Sequence, residues 1–206
     1  MSKTYIALIA DAIASRELSP AARARLQADA RTAVKDLNQR YRRVLVARFA
    51  VTLGDELQCL LPTPQPVWDV AHDLRARLPG VDWVVACGRG PITTPLAPTA
   101  PEIDGPCFHE ARAAMDRAKS ERLVFTFGGF TSALEPLASY YSALYWSWTP
   151  RQRRTATLLR VGDPAAAAAR LDVDRSAISH LARRMAWPLV AAGDKMFRTL
   201  LEAEPA

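Results

Sequence analysis

Asp11 ends an apolar run from Tyr5 to Ala10, and Asp55 sits in the turn Leu53-Gly54-Asp55-Glu56 between two further apolar runs. Two carboxylates at one edge of a sheet repel unless one is protonated or a cation bridges them, and Mg²⁺ or Mn²⁺ carrying a bound phosphate is the common bridge. Glu56 is a third acid beside them. The plainer readings are a lone strand-end Asp and a Gly-Asp turn suited to positive φ, and spacing alone leaves both open. A second set lies near the C-terminus, where Arg175, Ser176, Ser179, His180, Arg183 and Arg184 fall on the outward side of one predicted helix. Hydroxyls and cations so placed suit phosphates and base edges in a major groove, whereas the bland alternative is a packed helix pair with a solvated basic face. His109 and Arg112 form a third set, in the first turns of another helix, where amide groups and the helix dipole favour anions. The alternative there is a surface pair of Arg112 with Asp104 or Glu110.

Elements that would hold these residues can be read from periodicity. Tyr5 to Ala10 predicts a buried strand, and Ser19-Pro20 caps a long helix with Ala22, Leu26, Ala30, Ala33, Val34, Leu37 and Tyr41 on one side. Leu45 to Thr52 and Leu57 to Leu61 predict a hairpin. Val67, Val70, Ala71, Leu74 and Leu78 predict a second helix, and Trp83 to Cys87 another strand. The order βαββαβ is that of a ferredoxin-type sheet, in which the first strand lies beside one from the hairpin. That topology predicts Asp11 and Asp55 within metal-bridging reach, with Arg112 or His109 close by.

Gly88 to Pro106 holds five prolines and three glycines, which predicts a long ordered loop covering or bordering the same cleft. A helix over Phe108 to Ala118, a strand over Leu123 to Phe127 and an aromatic helix from Thr131 to Trp148 follow. Tyr140, Tyr141, Tyr145, Trp146 and Trp148 are expected to pack between two parts of the chain or to form a dimer seam. Asp163-Pro164 starts a short helix to Leu171, Asp172 takes the usual glycine position of a turn, and Asp174 caps a helix from Arg175 to Ala186. Ala168, Asp172, Val173 and Ile178 match helix-turn-helix spacing, since Asp tolerates the left-handed turn conformation better than most residues.

Bulk properties set the frame. The chain has 206 residues, half of them hydrophobic and 23% charged, which is ordinary globular composition. The net charge is +6; from Pro150 onward ten Arg and Lys stand against six Asp and Glu. A basic C-terminal quarter is what a phosphate-binding module needs. No apolar run is long enough for a membrane span and the N-terminus lacks a leader pattern, so a cytoplasmic location without membrane contact is expected. Cys59, Cys87 and Cys107 are odd in number and far apart, which predicts reduced, buried thiols.

The segments Tyr5 to Ser15, Thr52 to Gln58, Cys87-Gly-Arg-Gly90 and Asp104 to Arg112, followed by a helix-turn-helix, resemble the SatD family of bacterial proteins. Its first part is in turn similar to the palm-like core of class III nucleotidyl cyclases and GGDEF proteins. That resemblance implies a metal and triphosphate held by Asp11 and Asp55, with Gly54, Glu56, Asp104, His109 and Arg112 as candidate ligand contacts. Similar cyclases carry Asn and then Arg four residues later on the helix after the glycine, whereas this chain has His109 and Ala113, with Arg112 one position early. Ala10 replaces a glycine before the Asp. The expectation is an α+β chain with a palm-like domain over 1–130, a connecting aromatic helix over 131–149 and a helix-turn-helix domain over 150–206. Its function would be a DNA-binding regulator, acting as a homodimer on double-stranded DNA, whose palm binds a nucleotide with Mg²⁺ or Mn²⁺. The alternatives are a metal-dependent nucleotidyl cyclase or nucleotidyltransferase, and a catalytically silent scaffold.

Overall fold

The computed structural model describes residues 3–52, 55–131 and 133–205. Five strands form one sheet: β1 (Tyr5–Ala12), β2 (Ala47–Val51), β3 (Glu56–Leu61), β4 (Trp83–Gly90) and β5 (Phe125–Gly128), in the order β2-β3-β1-β4-β5. β1 is antiparallel to both β3 and β4, and β5 is parallel to β4. With α1 (Pro20–Arg40) and α2 (Val67–Arg77) between strands, the first four follow the ferredoxin-type order. β1 is a near-continuous apolar run because both faces of the sheet are covered. Ile6, Leu8, Ala10 and Ala12 meet α1 and α2, while Tyr5, Ala7 and Ile9 meet α3 (Pro106–Glu121).

Two glycines in the expected loop belong instead to β4, which runs past Cys87 to Gly90. A Cβ on Gly88 would lie 2.1 Å from the Ala111 nitrogen and the Cys107 oxygen, and one on Gly90 would lie 2.9 Å from the Cys107 nitrogen. They are present because the start of α3 presses on the strand, not because the chain turns there. The connection proper spans 91–105 and contains a 3₁₀ turn at Ala100–Glu102. Pro106, at the first helical position, starts α3 two residues earlier than periodicity predicts.

The C-terminal third is helical: α4 (Leu134–Ser147), α5 (Pro150–Val161), α6 (Pro164–Leu171), α7 (Arg175–Arg184) and α8 (Trp187–Ala203). The main core runs without a break from the sheet into Met185, Val190, Phe197 and Leu201. Phe197 of α8 stacks on Trp68 of α2 with ring centroids 3.9 Å apart. Tyr141, Tyr145 and Trp148 are buried where α4 joins the two parts, as expected; Tyr140 instead projects outward and is 69% exposed. All three cysteines are free and buried, and burial raises the Cys59 and Cys87 thiols well above their ordinary range. Among the described residues no helix is long and apolar enough to cross a membrane.

Candidate functional site

The pleat sends Asp11 to the α3 side of the sheet, where it stands opposite Glu56 on β3 and Val84 on β4. Asp55 immediately precedes Glu56, and both lie close enough to raise the Asp11 pKa. Topology therefore gathers the three acids at one end of the sheet; Gly54 lies outside the described residues. Their partners come from the protein itself. Lys119, near the end of α3, places its Nζ 2.8 Å from an Asp11 oxygen. Glu56 accepts from the Thr52 hydroxyl at 2.7 Å and from the Gln58 amide at 2.5 Å. Burial is the largest influence on Asp11 and holds its carboxyl above the usual range; Lys119 opposes that, and Asp55 and Glu56 add to it.

These donors do not fit a divalent cation as they stand. A hard cation takes six or more oxygen ligands, and here an ammonium already occupies the Asp11 carboxylate. Among the described residues no group of three or more acids, histidines or cysteines is arranged to hold a metal. A shallow recess of about 270 Å³ at this end is lined by Asp11, Lys119, Arg122 and Trp146.

His109 and Arg112 are not beside Asp11, which corrects the expectation drawn from the sequence. His109 is in the first turn of α3 and Arg112 near its middle, whereas the last turns bring Lys119 to Asp11. Ten residues separate His109 from Lys119, about 15 Å of helix. His109 Nε2 lies 3.1 Å from Asp104, with both side chains exposed, so the surface pair with Asp104 offered as the alternative for Arg112 is made by His109 instead. Arg112 itself is exposed. The 91–105 connection also misses the acidic end. It leaves β4 at Gly90, opposite Tyr5, and crosses toward β2, where Thr99 bridges Arg48. The distance from Tyr5 to Asp11 along β1 is about 20 Å.

Sequence and structure agree more closely in the helical part. Asp163 caps α6 by accepting from the Ala166 amide at 2.8 Å, and Asp172 adopts φ 50°, the left-handed turn. Ala167, Ala168 and Ile178 form a small core with Leu158, Leu159, Leu171 and Val173 around it. α7 then presents Arg175, Ser176, Ser179, His180, Arg183 and Arg184 on its outer side. All six are exposed. Two details differ. Asp174 occupies the cap position of α7 without a side-chain cap hydrogen bond, and the helix ends at Arg184 because Ala186 turns left-handed at φ 50°.

Two supporting helices were missed. α5 begins with a capping box in which Thr149 and Gln152 exchange hydrogen bonds, and the Thr-Pro-x-Gln pattern was the signal for it. α8 buries Val190, Asp194, Phe197 and Leu201, a spacing of three and four after Pro188. Asp194 pairs with Arg160 of α5 at 2.8 and 3.0 Å, with side-chain exposures of 7% and 3%. His72 lies in the same region, buried, with neither ring nitrogen hydrogen-bonded among the described residues; burial and then Arg160, Arg75 and Arg198 hold it neutral.

A family model described as the SatD family matches residues 5–123, more than half of the chain. No curated protein matches. Among solved structures, a bacterial light-regulated adenylyl cyclase is 11% identical at a TM-score of 0.46, covering 62% of this chain and 76% of that one. A second structure of a bacterial light-regulated adenylyl cyclase is also 11% identical, at a TM-score of 0.43, covering 62% of this chain and 43% of that one.

Proposed function

The chain belongs to the SatD family, and from that starting point we propose that it is a DNA-binding regulator whose α6–α7 pair reads duplex DNA while the palm-like domain carries ligand control. One observation carries the reading. A short capped helix, a left-handed Asp172 and a second helix whose outer side bears hydroxyl, imidazole and guanidinium groups form a helix-turn-helix free to enter a major groove. Arg183 and Arg184 would hold phosphates, and Ser179 and His180 would face base edges. Fluorescence anisotropy with duplex DNA across a salt series tests it. Wild-type protein is expected to bind with a steep salt dependence, and Arg183→Ala/Arg184→Ala is expected to flatten the slope by about 0.9 for each phosphate it no longer neutralises. Protein that binds no duplex at low salt, with or without nucleotides, would end this reading.

In the same proposal the palm is a binding body and not a catalytic one, because Lys119 holds Asp11 while His109 stands at the other end of α3 and Arg112 near its middle. A nucleotide with Mg²⁺ or Mn²⁺ would reach Asp11 only by displacing that ammonium. Lys119→Ala is therefore expected to raise the melting temperature gained from Mn²⁺ plus nucleotide relative to wild type. Turnover of the nucleotide in that assay would instead support an enzyme, and equal silence of both proteins would support a scaffold.

A further inference from the structure

A second cleft is remote from Asp11. It has a volume of about 610 Å³ and lies between one face of α1 and the corner made by α5 and α6, floored by the α2–β4 connection. That volume is of the size that small-molecule sites have, roughly 300 to 1,000 Å³. Its two walls differ in charge. The α1 wall carries Asp29, Thr32 and Asp36, and the facing wall carries Arg153, Arg154 and Arg170.

Part of this charge is already matched inside the protein. Arg77 pairs with Asp36 at 2.8 Å and Arg153 with Asp82 at 3.1 Å. Arg154 and Arg170 have no carboxylate partner among the described residues, although both are exposed and both line the cleft. The floor adds a second observation. Arg75 is 4% exposed and donates to the Trp83 and Val124 carbonyls, yet its Nε is buried with no hydrogen-bond partner among the described residues. Arg75 lines the cleft together with Arg77, Arg153, Arg154 and Arg170, against Asp29, Asp36 and Asp82, so guanidiniums outnumber carboxylates and the lining is net positive.

We propose that this cleft binds a phosphate-bearing small molecule of nucleotide size, with its phosphate on Arg154 and Arg170 and its hydroxyl or amino groups toward Asp29 and Thr32. Guanidiniums suit phosphate because their planar donors meet two oxygens at once. The acids of the α1 wall repel the continuous phosphate ladder of a duplex, so a short anion fits the recess better than DNA does. Because Arg170 is on α6, such an occupant ties the first helix of the DNA-reading pair to the palm. Binding itself does not depend on the DNA reading.

Isothermal titration of the full chain with pyrophosphate and with ADP, in metal-free buffer, tests the site without involving the acidic end of the sheet. Saturable binding is expected for both, weakened at least tenfold in Arg154→Ala/Arg170→Ala and unchanged in the charge-matched Arg25→Ala/Lys195→Ala. Gly80 lines the floor, and a Cβ there would meet nothing within 4 Å. Gly80→Phe is therefore expected to keep the fold, checked by circular dichroism, while weakening ADP. Absent or non-saturable binding, or equal affinity in wild type and Arg154→Ala/Arg170→Ala, overturns the site. So does a loss of duplex affinity in that double variant with anion binding intact, since the arginines would then serve DNA. Failure of wild type to bind DNA would leave this result standing.

Discussion

Asp11 combines two opposed influences at a single carboxyl. Burial and the neighbouring Asp55 and Glu56 disfavour its charge, Lys119 favours it, and the balance leaves the folded pKa above the ordinary value of 3.8. A carboxyl shifted this way costs nothing while protonated in both folded and unfolded states. The cost appears as pH rises from about 3.8 through the folded value, where the unfolded chain ionises more readily. Asp11→Asn is therefore expected to raise the melting temperature at neutral pH, with the gain shrinking to nothing as the buffer is taken below the ordinary carboxylate range. Thermal melts of both proteins across pH measure it, and a destabilised variant at pH 7 would show that the Lys119 pair outweighs burial. The same carboxyl illustrates what position in sequence leaves open. Asp11 and Glu56 were legible as neighbours because the ferredoxin-type order lays β1 beside a strand of the hairpin, whereas Lys119, 108 positions away, reaches Asp11 only through the direction in which α3 crosses the sheet.

At the scale of elements, α8 is the clasp that holds the α6–α7 pair against the sheet domain. Its Phe197 enters the core beside Trp68, and its Asp194 meets Arg160 of α5 in a buried, two-bond ion pair. Arg160 also lies over the Tyr141 and Trp187 rings, at 5.4 and 5.7 Å from their centroids. Removing one member of such a pair strands the other charge in a place water does not reach. Asp194→Ala is expected to cost about 3–5 kcal/mol, while the paired apolar replacement Arg160→Met/Asp194→Leu is expected to cost far less. Denaturant titration of the two variants separates a stranded charge from lost packing, and equal losses would assign the effect to packing alone. α8 escaped the reading of the sequence because its buried positions include an acid, which breaks the apolar stripe until Arg160 is known to stand opposite. The helix-turn-helix needed no such knowledge: two Asp residues at the cap and the turn, with small alanines between, specify it locally.

For the molecule as a whole, the core is continuous from β1 to Leu201, so the helical third is packed on the sheet domain and does not hang from a linker. By itself the sequence determined the order of the sheet's strands and the helices between them, the ferredoxin-type sheet, the placing of Asp11 beside a hairpin strand, the burial of the cysteines and the polar outer side of α7. Those features rest on periodicity, capping and strand pairing, which act over a few residues or through one hairpin. Tertiary structure decided the rest. It placed Gly88 and Gly90 in a strand under α3 instead of in a loop, took His109 to the end of that helix away from Asp11, supplied Lys119 as the cation, and opened the charged cleft between α1 and α5. Each of these depends on how one element crosses another, and the energy that fixes a crossing comes from side chains distant in sequence packing into one volume.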